Sequence, residues 1–212
     1  MNIYLLRHGE SMANLKKCFA GHYDIDLSEV GYQQAELASE YITENLKIDK
    51  IYASDLLRAY NTAVPTAKKL GLEIVKESMF REIYAGDWEG VAFDTLREKY
   101  IESYSVWMKN IGMSRCDNGE SVEELGLRIL KRLREVAEEN KDKNILIATH
   151  ATPIRVTSCL LEGRPLSEMK DIPWVGNASI TTLSNENGKL KLVEYGNDSH
   201  LGSMVTRLAG NV

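Results

Sequence analysis

Ile3-Tyr4-Leu5-Leu6-Arg7-His8-Gly9-Glu10-Ser11 begins as an apolar run of strand character and ends abruptly in a cation, an imidazole and a glycine. A strand buried on both faces reads as such a run, and in an open α/β sheet ligands gather beyond the carboxyl ends of the strands. Asn144-Ile145-Leu146-Ile147-Ala148-Thr149 repeats the pattern and leads directly into His150. Asp49-Lys50-Ile51-Tyr52-Ala53-Ser54 is a further strand, and Arg58 falls in the first turn of the helix expected from Asp55. Arg7, His8, Arg58 and His150 are therefore all predicted at strand ends, where one crevice can collect them.

Outward from these strands, helical periodicity fills the gaps. Asn14 to Lys17 suggests a short helical turn, and Ser28 is a fitting N-cap for a helix carrying Ala35, Ala38, Tyr41, Ile42 and Leu46 on one face. Pro65 predicts a kink or break in the helix after Asp55, before the stop at Gly71, and Leu72 to Val75 is a short strand candidate. Phe80 to Gly90, with two glycines and clustered aromatics, reads as an irregular loop, and Phe93 to Ile111 as a broken helical stretch. Ser121-Val122-Glu123-Glu124 matches a capping box ahead of an amphipathic helix ending near Asn140. Thr152-Pro153 starts a helix running to about Glu162. Asn187-Gly188 between two β-rich runs is a hairpin signal, and the tail from Gly196 has no clear pattern. The order of elements predicts an α/β fold with a mostly parallel sheet and antiparallel strands toward one side.

Composition narrows the function. With 212 residues, 43% hydrophobic, 27% charged and no linker or repeat, the chain is expected to form a single domain over 1–212. No apolar run approaches the ~18 residues of a membrane span, and the start lacks a signal-peptide pattern, so a cytoplasmic enzyme without membrane partners is expected. Cys18, Cys116 and Cys159 are widely spaced and read as reduced thiols, not a disulfide frame or zinc site. A net charge of −5 gives no reason to expect nucleic acid. Salt screens that field within ~8 Å, so a local cationic cluster still governs a pocket.

Two guanidiniums can clamp a phosphoryl group, a neutral imidazole can attack phosphorus, and a carboxylic acid such as Glu82 can protonate the departing oxygen. Taken singly, each residue has an ordinary explanation: a hydrogen-bonded loop histidine, a surface cation, a surface acid. Their joint placement is what points to chemistry. His22 and His200 follow no strand and are assigned no role, and Asp198-Ser199-His200 are too close in sequence to form a triad. Trp88, Trp107 and the tyrosines are expected mainly as packing groups, with a minority lining the pocket.

Leu6-Arg7-His8-Gly9-Glu10-Ser11 with Asn14 resembles the signature of the histidine phosphatase superfamily, the phosphoglycerate-mutase-like proteins. The match continues in order through Gly21, Leu27, Gly31, Ser54, Arg58, Thr62-Ala63, Arg81-Glu82, Gly86, Trp88-Glu89-Gly90, Gly119-Glu120-Ser121 and Thr149-His150. The resemblance implies a three-layer α/β/α sandwich and no metal or other cofactor. It makes His8 the nucleophile that becomes phosphohistidine and Glu82 the proton donor. Arg7, Arg58 and His150 hold the phosphoryl oxygens, Ser11 and Asn14 line the phosphate pocket, and Gly21 sits at its edge. Ala151 stands where the family usually has glycine, bringing a Cβ close to the phosphate.

Within the family, mutases return the phosphoryl group to phosphoglycerate and phosphatases pass it to water. Ile83 follows Glu82 where mutases carry a cation for the substrate carboxylate, and the interval from Glu82 to His150 is short beside theirs. The run Arg81-Glu82-Ile83 through Gly86-Asp87-Trp88-Glu89-Gly90 looks like the phosphatase branch, including broad-specificity and α-ribazole phosphatases. A small phosphorylated metabolite is the expected partner, with Tyr84 to Asn118 lining its entrance. The alternatives are a mutase and, in another class, a phosphate sensor without turnover, against which stands the presence of all five reactive residues. The terminal hairpin would offer an edge strand for a homodimer, or a solvated edge.

Overall fold

The computed structural model describes residues 1–206. Strand β1 (Asn2–Arg7) leads into a short helix α1 (Met12–Leu15), then α2 (Glu29–Asn45), β2 (Lys50–Ala53), α3 (Leu57–Leu70) and β3 (Ile74–Lys76). Helices α4 (Phe93–Lys99) and α5 (Ile101–Asn110) precede α6 (Val122–Glu139), β4 (Ile145–Thr149) and α7 (Ala151–Leu161). A hairpin, β5 (Ile180–Glu186) and β6 (Lys189–Asn197), follows. Spatially the strands run β3-β2-β4-β1-β5-β6. The first four are mutually parallel, and β5 is antiparallel to both β1 and β6.

Side-chain alternation along the strands divides the core in two. Ile3, Leu5, Tyr52, Ile145, Ile147 and Leu183 face α6 and α7. Tyr4, Leu6, Ile51, Ala53, Leu146 and Ala148 face α2 and α3. Because both faces are covered by helices, the parallel strands must be apolar throughout, which is why β1 and β4 read as unbroken runs. The result is the expected three-layer α/β/α sandwich.

Local chemistry sets the helix boundaries. Ser28 Oγ accepts from Gly31 N to cap α2, and at α6 the Ser121 hydroxyl and Glu124 carboxylate form the reciprocal capping box. At Pro65 the sequence left a kink or a break open, and the break does not occur, since α3 runs through it. Ala59, Thr62 and Ala63 on one side of it and Thr66 and Ala67 on the other are all buried, so packing of that face outweighs the lost backbone bond. Gly71 at φ 65° then ends α3, as expected, and Leu72 N bonds back to Ala67 O. That closing turn occupies Leu72, so β3 starts at Ile74 and extends to Lys76 instead of covering Leu72 to Val75. Of the tail from Gly196, Ser199–Met204 forms 3₁₀ turns, and the part from 207 lies outside the described residues.

One close approach holds the loop after β1. A Cβ on Gly9 would lie 2.5 Å from Gly31 O, and one on Gly31 would lie 2.0 Å from Glu10 O. The backbone of residues 9–10 therefore lies directly on the first turn of α2, with Ser28 N donating to Glu10 O and Glu10 N to Gln34 Oε1. Gly31→Ala is expected to lower the urea midpoint by the equivalent of about 1–3 kcal/mol, the usual cost of overpacking. An unchanged midpoint would show that the two backbones can separate freely.

Candidate active site

Strand register brings the two histidines together. Arg7 pairs with Thr149 across β1 and β4, and His8 N donates to Thr149 O at 2.9 Å, so His8 and His150 leave adjacent strands side by side. Their rings meet edge to face with centroids 5.2 Å apart. Ser54, just past β2, accepts or donates a 2.9 Å bond at His150 Nε2, and Ser54 N bonds to Ala148 O.

The His8 ring has a defined tautomer. Nδ1 lies 2.6 Å from Gly9 O, and because a carbonyl only accepts, Nδ1 carries the proton and Nε2 keeps its lone pair. Gly9 N in turn donates to Thr62 Oγ1, whose hydroxyl donates to Arg58 O one turn back in α3. Asn177 Nδ2 donates to His8 O. Burial, with Arg58 and Arg7 nearby, pushes the His8 pKa well below its ordinary value, and burial does the same to His150. Both imidazoles are neutral at physiological pH.

Arg7 and Arg58 are completely buried, yet their hydrogen bonds go to carbonyls and not to carboxylates. Arg7 Nη1 donates to Val175 O, while Arg58 donates to Gly21 O at 2.7 Å and Tyr23 O at 3.1 Å. Nε of each guanidinium has no acceptor in the protein. Desolvation pulls both pKa values down to about 10, so each stays charged at a cost that an oxyanion would relieve.

Among the described residues, Glu82 is the one carboxyl in the cavity wall. Its Oε1 accepts from Ile83 N and Oε2 from Thr152 N at the start of α7, and burial raises its pKa despite those bonds. Its backbone is held by Arg128 from α6, which donates to Met79 O, Arg81 O and Glu82 O and is fixed by two bonds from Glu120. Thr149 Oγ1 donates to Phe80 O, tying the same segment to the end of β4.

Of the nine residues expected in the site, Arg7, His8, Ser11, Asn14, Gly21, Arg58, Glu82 and Ala151 line one cavity of about 510 Å³, its open mouth included. His150 does not line it and reaches the site through the His8 ring. Ser11 and Asn14 cap α1 reciprocally, and Asn177 also donates to Asn14 Oδ1. Gly21, at φ 51°, contributes its carbonyl to Arg58, and a Cβ there would sit 2.6 Å from that of Ala85. Ile83 is fully buried in the core and does not line the cavity. The site also includes Thr152 and Trp174, which the sequence did not single out. Trp174 sits in a stretch between α7 and β5 that has neither periodicity nor a motif; Thr62 was visible in the sequence match, but its hydrogen bonds were not. His22 donates to the Glu82 carbonyl and His200 to Ala178 O, and neither lines the cavity.

A neutral, oriented imidazole beside two buried guanidiniums, with a carboxyl whose pKa burial raises in the same wall, is an arrangement that can bind and transfer a phosphoryl group on a doubly covered α/β sheet. The chain belongs to the histidine phosphatase superfamily (branch 1), whose model matches residues 3–198. It is 31% identical to phosphoserine phosphatase 1 of Hydrogenobacter thermophilus, covering 95% of each chain. It is 30% identical to phosphoglycerate mutase-like protein 4 of Arabidopsis thaliana, covering 94% of this chain and 86% of that one. Among solved structures, YhfR of Bacillus stearothermophilus superposes with a TM-score of 0.90 at 25% identity, covering 94% of this chain and 98% of that one.

Orthovanadate or orthophosphate is expected to raise the melting temperature, with a stabilisation of ~2.7 kcal/mol at a hundred times Kd. Arg58→Met should abolish the effect; an identical shift in that variant would mean the anion binds elsewhere. A second expectation concerns pH. The unfolded chain protonates its histidines near ~6.5 while folded His8 and His150 stay neutral, so the unfolded state binds more protons below that pH. The stability they contribute is complete above ~6.5 and is lost as pH falls from there toward the depressed folded values. Urea midpoints of wild type minus His8→Asn between pH 7.5 and 5.5 isolate the His8 share; a flat difference would contradict it.

Proposed function

We propose that this protein is a metal-independent phosphomonoesterase acting on a small phosphorylated metabolite through a phosphohistidine on His8. The observation that carries the reading is the Nδ1 bond to Gly9 O, which leaves the Nε2 lone pair on a ring lining the cavity that Arg7 and Arg58 also line. The phosphatase name of the Hydrogenobacter relative supports it.

In the first half-reaction Nε2 attacks phosphorus, the P–O ester bond breaks, and Glu82 passes its proton to the leaving oxygen. Arg7, Arg58 and the N-terminal end of α7 stabilise the oxygens of the transferring group, with His150 buttressing the nucleophile's ring. In the second, water attacks phosphorus, Glu82 takes its proton, the P–N bond breaks and orthophosphate leaves. Two buried guanidiniums supply the charge stabilisation, so the chemistry needs no metal. Ser11 and Asn14 shape the phosphate end, and Ala151 narrows it.

A mutase would need a further cation for the phosphoglycerate carboxylate, and the cavity's charged lining consists of Arg7, Arg58 and Glu82. Three buried free thiols, Cys18, Cys116 and Cys159, fit a reducing, cytoplasmic setting. No helix among the described residues is long and apolar enough to cross a membrane. A homodimer through the β6 edge is the less favoured assembly, because Lys189, Lys191 and Glu194 place charge along it.

Brief reaction with a labelled phosphomonoester followed by alkaline quenching should trap acid-labile, base-stable phosphate on the wild type and none on His8→Ala. Equal label on both proteins would overturn the assignment. Glu82→Gln should slow esters of poor leaving groups by about 10²–10⁴ and aryl phosphates far less. Because burial raises the Glu82 pKa, its acid form persists above the ordinary carboxylate range, so the wild type should lose kcat/KM on an alkaline limb that Glu82→Gln lacks on the same substrate. The same limb in both would assign it to another group.

A further inference from the structure

Beyond the phosphate clamp, the cavity is walled by Phe19, Phe93, Trp107 and Trp174, with Cys18 and Ala20 between them. Among the described residues its only charged lining groups are the two guanidiniums and Glu82. A phosphomonoester brings a charge approaching −2 near neutral pH, which Arg7 and Arg58 together neutralise. A carboxylate elsewhere on the substrate would then enter an aromatic wall with no cation to meet it, and an unpaired charge there is costly.

Trp174 is held in place from three sides. The carbonyl of Pro173 before it accepts from Tyr195 Oη at 2.7 Å, and the carbonyl of Val175 after it accepts from Arg7. The Arg155 guanidinium lies 4.4 Å from the centre of its ring. Arg155, on α7, is 1% exposed, bonds only through Nη2 to Lys170 O, and leaves Nε and Nη1 without acceptors. A cation therefore lies close to the substrate cavity without lining it, against the indole that does.

Resting on the phosphatase reading above, we propose that Trp174, screening Arg155 from the cavity, sets the specificity of this site: it accepts phosphomonoesters with an aromatic or bulky apolar leaving group and rejects those bearing a carboxylate. In this the chain differs from the relative named for phosphoserine. Phe19, Phe93 and Trp107 complete the surface against which a planar group stacks. Arg155 acts as a positioning residue by packing the indole in place.

The test compares kcat/KM for phenyl phosphate and phosphoserine, and binding of the non-cleavable benzylphosphonate and 2-amino-4-phosphonobutyrate, in wild type, Trp174→Phe, Trp174→Ala and Trp174→Ala/Arg155→Met. The wild type should favour the aromatic member of each pair by about 100-fold. Trp174→Phe should keep most of that ratio, and Trp174→Ala should reduce it at least tenfold, partly by improving the carboxylate-bearing compound. Adding Arg155→Met should remove that improvement. Phosphoserine handled as well as phenyl phosphate by the wild type, or Trp174→Ala weakening both compounds equally, would overturn the specificity while leaving the phosphatase reading intact. If the wild type turned over no ester, the phosphatase reading would fall, and the phosphonate affinities would still decide the specificity of the cavity.

Discussion

Two guanidiniums buried beside two neutral imidazoles form the constraint around which this molecule is built. Arg7 and Arg58 are held by carbonyl dipoles, from Val175, Gly21 and Tyr23, which fix their position without cancelling their charge. Arg128 shows the alternative: it is gripped by both oxygens of Glu120 and serves only to hold backbone carbonyls. That contrast separates an arginine poised for an anion from one that is already satisfied. Burial, reinforced by that charge, pushes His8 toward its neutral form, and Glu82 is the only carboxyl that the described residues place in the wall. Burial in turn raises the Glu82 pKa, so the same low-polarity crevice moves its imidazole and its carboxyl in opposite directions, each toward its uncharged form.

Holding that crevice open to an anion requires its walls to be rigid. The chain meets this with backbone contacts that leave no room for a Cβ, Gly9 on Gly31 and Gly31 on Glu10, and with a chain of hydrogen bonds from His8 through Gly9 and Thr62 to Arg58. On the opposite side an aromatic cluster does the same by packing: Trp88 contacts Phe19, Tyr104 and Trp107 edge to face at 5.4–5.9 Å. Phe19 and Trp107 belong both to that cluster and to the cavity wall, so the aromatic packing and the cavity surface are one structure.

The layers and the strand ends with Arg7, His8 and Arg58 were legible because they follow from short-range patterns, whereas Ser11, Asn14, Gly21 and Ala151 were placed by the resemblance to the family, and all of these line the cavity. Apolar runs mark strands covered on both faces, a capping box marks the start of α6, and reactive residues at strand ends mark the crevice. The departures share a cause. Pro65 and Leu72 carry strong local signals that α3 overrides, in one case through burial on both sides of the proline and in the other through its closing turn.

By itself the sequence determined the reactive groups and their order along the chain: a guanidinium and an imidazole at the end of β1, a second guanidinium opening α3, a carboxyl ahead of α4, a second imidazole after β4. Periodicity and caps are local, so they survive without knowledge of the fold. Only the tertiary structure decided which nitrogen of His8 keeps its lone pair, that both guanidiniums are held by carbonyls, and that Trp174 stands beside them with Arg155 against its ring. Those features arise between residues far apart in the chain, where register across the sheet and burial against α7 set distances and charge states that no local pattern records.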